Sequence, residues 1–357
     1  MFAAGGGHDN AVKLLLEHGA DVNIVVHATP EYIEQVIEAI AEGREDVEPH
    51  KDGVTALMVA AQGGHMESVR LLVEAGAAVD VMDDEDVTPL LNAVKGNFAQ
   101  VSEYLVQHGA NPNDEYVDEK KESHNLLMDA VAVNNTAFSL LLLDKGATTT
   151  HVDADGVTVL TQAAFQGQLA VVNKLLSLNA DDTIANKEGI NPLIAASSEG
   201  HTEVVKVLLA HNRGNQGSVD TKDKDGTNAL MASSVRGHSD IVKLLIEAGA
   251  AVNEQNVDGH TALMFAYNGK NQVETLRHKY NQYMKDENDN STRIIQDALQ
   301  THIDVVTLLQ SSGADVGLKD KDGNTADDFD YKAPMDPIEI ETDTPLEGLL
   351  EMGKEEL

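Results

Sequence analysis

One segment of this chain restarts along its length. Residues 226–258 read GTNALMASSVRGHSDIVKLLIEAGAAVNEQNVD, and the same order begins again at Asp258-Gly259-His260-Thr261. Each unit opens with a turn at a Gly-x pair. It runs into a short helix of small residues (Ala229, Leu230, Ala232, Ser233), breaks at Gly237-His238 and continues as an amphipathic helix ended by Gly249. The Thr or Asn after the Gly-x pair serves as a marker: Thr55, Thr88, Asn125, Thr158, Asn191, Asn228, Thr261 and Thr325. By subtraction, the steps between them are 33, 37, 33, 33, 37, 33 and 64 residues. Units of this size cannot bury their own apolar faces, so neighbours must cover them. The fold class that follows is a stack without a single core.

The words Asp52-Gly53-Val54-Thr55-Ala56-Leu57, Thr88-Pro89-Leu90, Gly64-His65, Gly200-His201 and Gly19-Ala20-Asp21-Val22-Asn23 carry a family resemblance. At a 33-residue period they resemble the ankyrin repeat family, over residues 1–331. The resemblance implies an all-α solenoid of about eight helix-turn-helix repeats with short β-hairpin-like loops. Ala3-Ala4 aligns with Ala60-Ala61, so the chain is expected to start inside a partial first repeat, with any targeting segment lost before it. Residues 24–51 are an insertion with Ile33, Val36, Ile37 and Ile40 on one helical face. That helix reads either as packing over an exposed edge or as an arm for a partner. The long last step exceeds the period by 64 − 33 = 31 residues and predicts an extended helical hairpin over 268–300. Asp327-Asp328 replace an apolar position, which suits a polar C-terminal cap at 323–331. Residues 332–357 are acidic, with three prolines, and are expected to form a mostly disordered tail.

One departure concerns the His that follows Thr-Pro-Leu in the family. Its slot holds Met58, Leu91, Met128, Thr161, Ile194, Met231 and Met264. The hydrogen bonds that the resemblance attaches to that His are expected to give way to apolar packing, with a softer array as the result.

Charge narrows the function. With 25 Lys and Arg against 60 Asp and Glu, the net charge is −35. A basic footprint for nucleic acid or anionic membrane is missing, and basic partners are favoured in encounter. The absence of cysteine excludes disulfides, thiol catalysis and Cys-zinc sites. No apolar run reaches the roughly 18 residues of a membrane-spanning helix. The expected compartment is the cytoplasm, with nucleus and organelles left open because the N-terminus reads as truncated. Of the 14 His, His8, His65, His201 and His238 fall in the break between helices, and none pairs at i, i+4 around a carboxylate base. The Asp-rich turns at Asp153, Asp223 and Asp320 lack the first and last ligands of a calcium loop. Nucleophile elbows and phosphate-binding loops are also missing. No metal, no cofactor and no catalytic residue is expected.

In arrays of this family, partners contact the hairpin tips and the concave face of the first helices. The residue between turn Gly and marker points there: Val54, Val87, His124, Val157, Ile190, Thr227 and His260. Four of the seven are β-branched aliphatics, where solvated loops carry polar residues. Behind them lie Phe165, Gln166, Glu199 and Arg236. Counting the partial repeat as the first, so that Asn125 marks repeat 4, the expectation is an apolar strip centred on repeats 5 and 6, which restart at Gly156 and Gly189, rimmed by Asp84, Glu85, Asp155, Glu188 and Asp225. A partner protein with an apolar anchor flanked by Lys or Arg would suit it, bound by a monomer. The competing explanation is that β-branched residues simply favour a hairpin. Two functions follow: a non-catalytic interaction scaffold, or a regulatory or targeting fragment of a larger protein whose enzyme or channel domain lies outside this chain.

Overall fold

The computed structural model describes residues 1–25, 52–117, 123–211, 219–283 and 290–330, arranged in two compact units, Met1–Ala154 and Asp155–Leu357. The insertion helix expected near 30–40, the tip of the long hairpin and the acidic tail fall outside the described residues. The first unit contains α1 (Phe2–Gly5), α2 (Asp9–Glu17), α3 (Ala56–Gln62), α4 (Met66–Glu74), α5 (Pro89–Lys95), α6 (Ala99–Gln107), β1 (Glu115–Val117), β2 (Ser123–Asn125), α7 (Leu126–Ala132) and α8 (Thr136–Asp144). The second contains α9 (Val159–Phe165), α10 (Leu169–Ser177), α11 (Pro192–Ser198), α12 (Thr202–His211), α13 (Ala229–Val235), α14 (Ser239–Glu247), α15 (Ala262–Tyr283) and α16 (Asn290–Ser311), followed by a 3₁₀ turn, Ala326–Phe329.

The markers of the repeat are helix N-caps. The side chains of Thr55, Thr88, Thr158, Asn191 and Asn228 accept the N–H groups of Met58, Leu91, Thr161, Ile194 and Met231 at 2.9–3.2 Å. Each satisfies a donor that a helix start leaves orphaned. Asn125 accepts from Leu127 and Met128 in the same way. Small residues let first helices approach: Ala60, Ala61, Ala163, Ala164 and Ala196 are fully buried. One leucine per second helix fills the layer behind them, and Leu72, Leu105, Leu142, Leu175, Leu208 and Leu245 are all buried.

Within each unit, first helices pack on first helices and second on second: α3 on α1 and α5, α11 on α9 and α13, α4 on α2, α12 on α10 and α14. The exception is the pair α5 and α7, neighbouring first helices that do not pack on each other closely. In the last repeat, α15 and α16, each 22 residues, pack against each other. Val273, Tyr280, Ile295 and Leu299 give the pair an apolar cluster of its own.

Hydrogen bonding at the family's His slot is not wholly lost, contrary to expectation. The Thr55 and Thr261 N–H groups donate to the sulfurs of Met58 and Met264, each at 3.4 Å. The Thr158 and Thr161 hydroxyls bond to each other at 3.0 Å. A polarisable thioether accepts weakly while filling the apolar slot.

Candidate functional site

At the hairpin tips an Asp or Asn closes each turn. Asp83 Oδ1 accepts the N–H groups of Glu85 and Val87; Asn186 those of Glu188 and Ile190; Asp223 those of Asp225 and Thr227; Asn256 those of Asp258 and His260. These bonds measure 2.7–3.0 Å. Burial raises the Asp223 carboxyl above its usual range, against the pull of its two backbone N–H bonds. Backbone bonds then tie one tip to the next. Asp84 N–H donates to Asp52 O in the first unit; Lys187 to Asp155 O, Lys224 to Glu188 O, Val257 to Asp225 O and Lys321 to Asp258 O in the second, at 2.8–3.0 Å. The second unit thus presents a ladder of fixed tips, and the first has one tie of the same kind.

On this ladder Val157, Ile190 and Thr227 are half-buried, beside exposed Asp155, Glu188 and Asp225. In the first unit, Val54 is half-buried and Asp84 and Glu85 are exposed. Val87 departs from the expected strip: at 7% exposure it belongs to the core. Its β-branched side chain packs inside its hairpin, as the competing explanation holds for that position. Phe165 is exposed (46%), but it ends α9 whereas Val157 precedes it. The six helical steps from Val159 to Phe165 alone rise roughly 9 Å, so the two side chains stand at opposite ends of α9. Gln166 is half-buried. Glu199 and Arg236 face each other, 3.5 Å apart. His260 is wedged between the rings of Phe265 and Phe329, with Nε2 3.5 Å from Asp320. The side chain of His124 lies outside the described ones. Glu188 also carries an exposed ion pair with Lys224, at 3.1 Å.

A second arrangement escaped the sequence reading. In four repeats a His, just before the second helix or within it in the case of α16, reaches back to the preceding repeat. His65 Nε2 donates to the Gly5 carbonyl (2.9 Å), His201 to Phe165 O (2.9 Å), His238 to Ser198 O (3.0 Å) and His302 to Val235 O (3.2 Å). Phe98 holds the same slot without a donor, its ring against Gly64. In repeat 4 the slot holds Asn135, whose Oδ1 turns onto its own helix and accepts the Phe138 N–H at 3.2 Å. Between α5 and α7 the missing ring coincides with a pocket of about 280 Å³, lined among others by Phe98, Tyr116, Asp129, Asn135 and Phe138. Tyr116 comes from β1 and donates its hydroxyl proton to Asp129 Oδ2 (2.9 Å), while Lys95 Nζ sits 5.4 Å from its ring centroid. The legible signal was the pair Asn97 and Asn135, standing where five repeats pair a Gly with a ring; Asn134 and Gln168 hold the same two positions one repeat on.

Among the described residues, no three His, Asp or Glu gather as a metal would need, and no helix is long and apolar enough to cross a membrane. Family models match the sequence directly: an ankyrin repeat over residues 1–26, and ankyrin repeats in three copies over 25–116, 162–256 and 212–287. Among curated proteins, the chain is similar to B-cell lymphoma 3 protein homolog of Mus musculus, 36% identical over 89 residues (24% of this chain, 20% of that protein). It is also similar to ankyrin repeat and SAM domain-containing protein 6 of Danio rerio, 28% identical over 222 residues (50% and 28%). RelA-associated inhibitor of Mus musculus is 36% identical over 78 residues (22% and 10%). The chain spans at most 28% of the length of these three relatives.

Proposed function

This chain belongs to the ankyrin repeat family, and from that premise we propose that it is a non-catalytic scaffold docking a partner protein on the concave face of its second unit. The observation that carries this reading is the ladder of tips, which holds Val157, Ile190 and Thr227 half-open beside the carboxylates of Asp155, Glu188 and Asp225. A face fixed by backbone bonds loses little conformational freedom on binding. The carboxylates speed encounter with a basic surface, and the β-branched residues receive its apolar anchor. The partner is therefore a protein with an apolar residue flanked by Lys or Arg. A cysteine-free chain suits the cytoplasm.

Affinity capture from native lysate, comparing wild type with a Val157→Ser, Ile190→Ser variant, tests this. The expected result is a partner held by wild type and lost by the folded variant, with capture weakening as salt rises. A partner that both proteins retain would move the site away from these tips. A second reading, an array inside a larger regulatory protein, is favoured by the chain's span of at most 28% of the relatives compared. Sequencing the full-length transcript separates the two.

A further inference from the structure

We propose that the pocket between α5 and α7 receives an arginine side chain from a basic partner segment, its guanidinium taking the place of the ring that repeat 4 lacks. The interruption of the repeat carries the argument. Rings at positions 65, 98, 201, 238 and 302 lie against the left-handed residue of the preceding repeat. At the corresponding site the chain has Asn97, also left-handed with φ 57°, and no ring to cover it, because Asn135 caps α8. Tyr116 stands between the two first helices, bonded to Asp129 on α7 with Lys95 of α5 over its ring. Elsewhere within the units neighbouring first helices close on each other; here they leave about 280 Å³.

The chemistry of the walls selects the occupant. Phe98, Phe138 and Tyr116 offer aromatic surface, and Asp129 is the acidic residue of the lining. The vacant slot elsewhere takes a flat group that donates N–H to a helix-end carbonyl; the carbonyl that corresponds here is that of Lys95. A guanidinium is flat, carries five donors, stacks on aromatic faces and is weakly hydrated. An ammonium shares the charge but neither the plane nor the light hydration. A leucine would fill the space but donate nothing to that carbonyl. Lys95 already holds one cation over the Tyr116 ring, and the Asp129 carboxylate belongs to the same lining. The net charge of −35 concentrates basic segments around the whole chain. This inference shares only its class of partner with the docking reading, since the pocket and the tips of Val157 and Ile190 belong to different units.

The test is an NMR titration of the labelled full chain with the peptide Gly-Lys-Arg-Lys-Gly, and with the same peptide carrying Lys, Leu or Trp for its Arg. The Arg peptide should shift the amides of Phe98, Asp129 and Phe138 and bind about tenfold tighter than the Lys peptide. An Asn97→Gly, Asn135→His double variant rebuilds the pairing seen at Gly200 and His238 and fills the pocket from within, so the Arg preference should vanish. Asp129→Asn, which keeps the pocket's shape, should weaken the Arg peptide by a similar factor. Equal binding of the Lys peptide, tighter binding of Leu or Trp, or an Arg preference that survives Asp129→Asn would overturn the proposal. The Val157→Ser, Ile190→Ser variant should bind the Arg peptide as wild type does. If it does not, arginine is read at the tips and the pocket assignment fails, while the docking reading stands.

Discussion

A single ring decides which residue precedes it by one repeat. Gly200 has φ +81°, and a Cβ built there would lie 2.7 Å from the His238 ring. Where the next repeat brings Asn135 instead of a ring, the same backbone position accommodates Asn97. Gly200→Ala is therefore expected to destabilise by about 2–3 kcal/mol, from the left-handed backbone and the ring together. In a His238→Asn background the ring's share should disappear, which denaturant unfolding of all four proteins of the cycle would show as a coupling of ~1 kcal/mol. No coupling would mean that the backbone alone requires glycine. His238 has a second consequence. Burial holds its imidazole below the ordinary value of 6.5, against the Ser198 carbonyl that it donates to; Arg236 and His302 also lower it and Glu199 raises it. Because the folded value is depressed, its contribution to stability is present above pH 6.5 and is lost as pH falls through the folded value. The unfolding midpoint should drop on acidification below that point, and His238→Gln should drop less; parallel curves would remove His238 as the cause.

Helices and tips answer to different signals, and they were unequally legible. Each N-cap was visible as a Thr or Asn at a fixed step. Replacing buried Asn191 by Ala should cost about 1 kcal/mol in denaturant unfolding, because the Ile194 N–H loses its partner. The long hairpin was equally plain from its excess length. Its cluster of Val273, Tyr280, Ile295 and Leu299 is set off from the repeat core. Tyr280→Ala should therefore abolish hydrogen-exchange protection along the outer turns of α15 and α16 while leaving α13 and α14 protected. Loss of protection throughout the second unit would show the hairpin to be part of one cooperative block. Burial at the tips was less legible. Val54, Val87, Val157 and Ile190 are one class in sequence, yet only Val87 is in the core, since side-chain packing across a hairpin is set by neighbours that periodicity does not record. The pocket was the least legible feature. It needs Tyr116, from a strand outside the period, to meet Asp129 on the next helix, and no spacing announces that meeting.

Across the whole molecule the charge is lopsided: 60 acidic residues face 25 Lys and Arg. Some cations are placed where they bridge repeats, as Lys224 to Glu188, Lys321 to Asp258 and Lys222 to Glu254 do. Exposed pairs of this kind contribute about 0–1 kcal/mol each and weaken with salt. Even if every cation were paired, 60 − 25 = 35 carboxylates would remain without one, and their mutual repulsion opposes the folded state. The two effects predict opposite salt dependences, so salt decides between them. Raising ionic strength from about 0.01 M to about 0.15 M shortens the screening length from roughly 30 Å to roughly 8 Å. Repulsion summed over many distant carboxylates then fades, while pairs at about 3 Å lose less. The thermal midpoint should rise by several degrees, equally in NaCl and KCl, since screening depends on ionic strength and not on the cation. At this chain length a gain of ~1 kcal/mol corresponds to about 1–2 °C. A midpoint that falls with salt would mean that the bridges between tips outweigh the repulsion. The docking face proposed at the tips would then lose rigidity under the same conditions that screen the attraction proposed for a basic partner. With the predicted rise, salt weakens encounter alone and leaves the face intact.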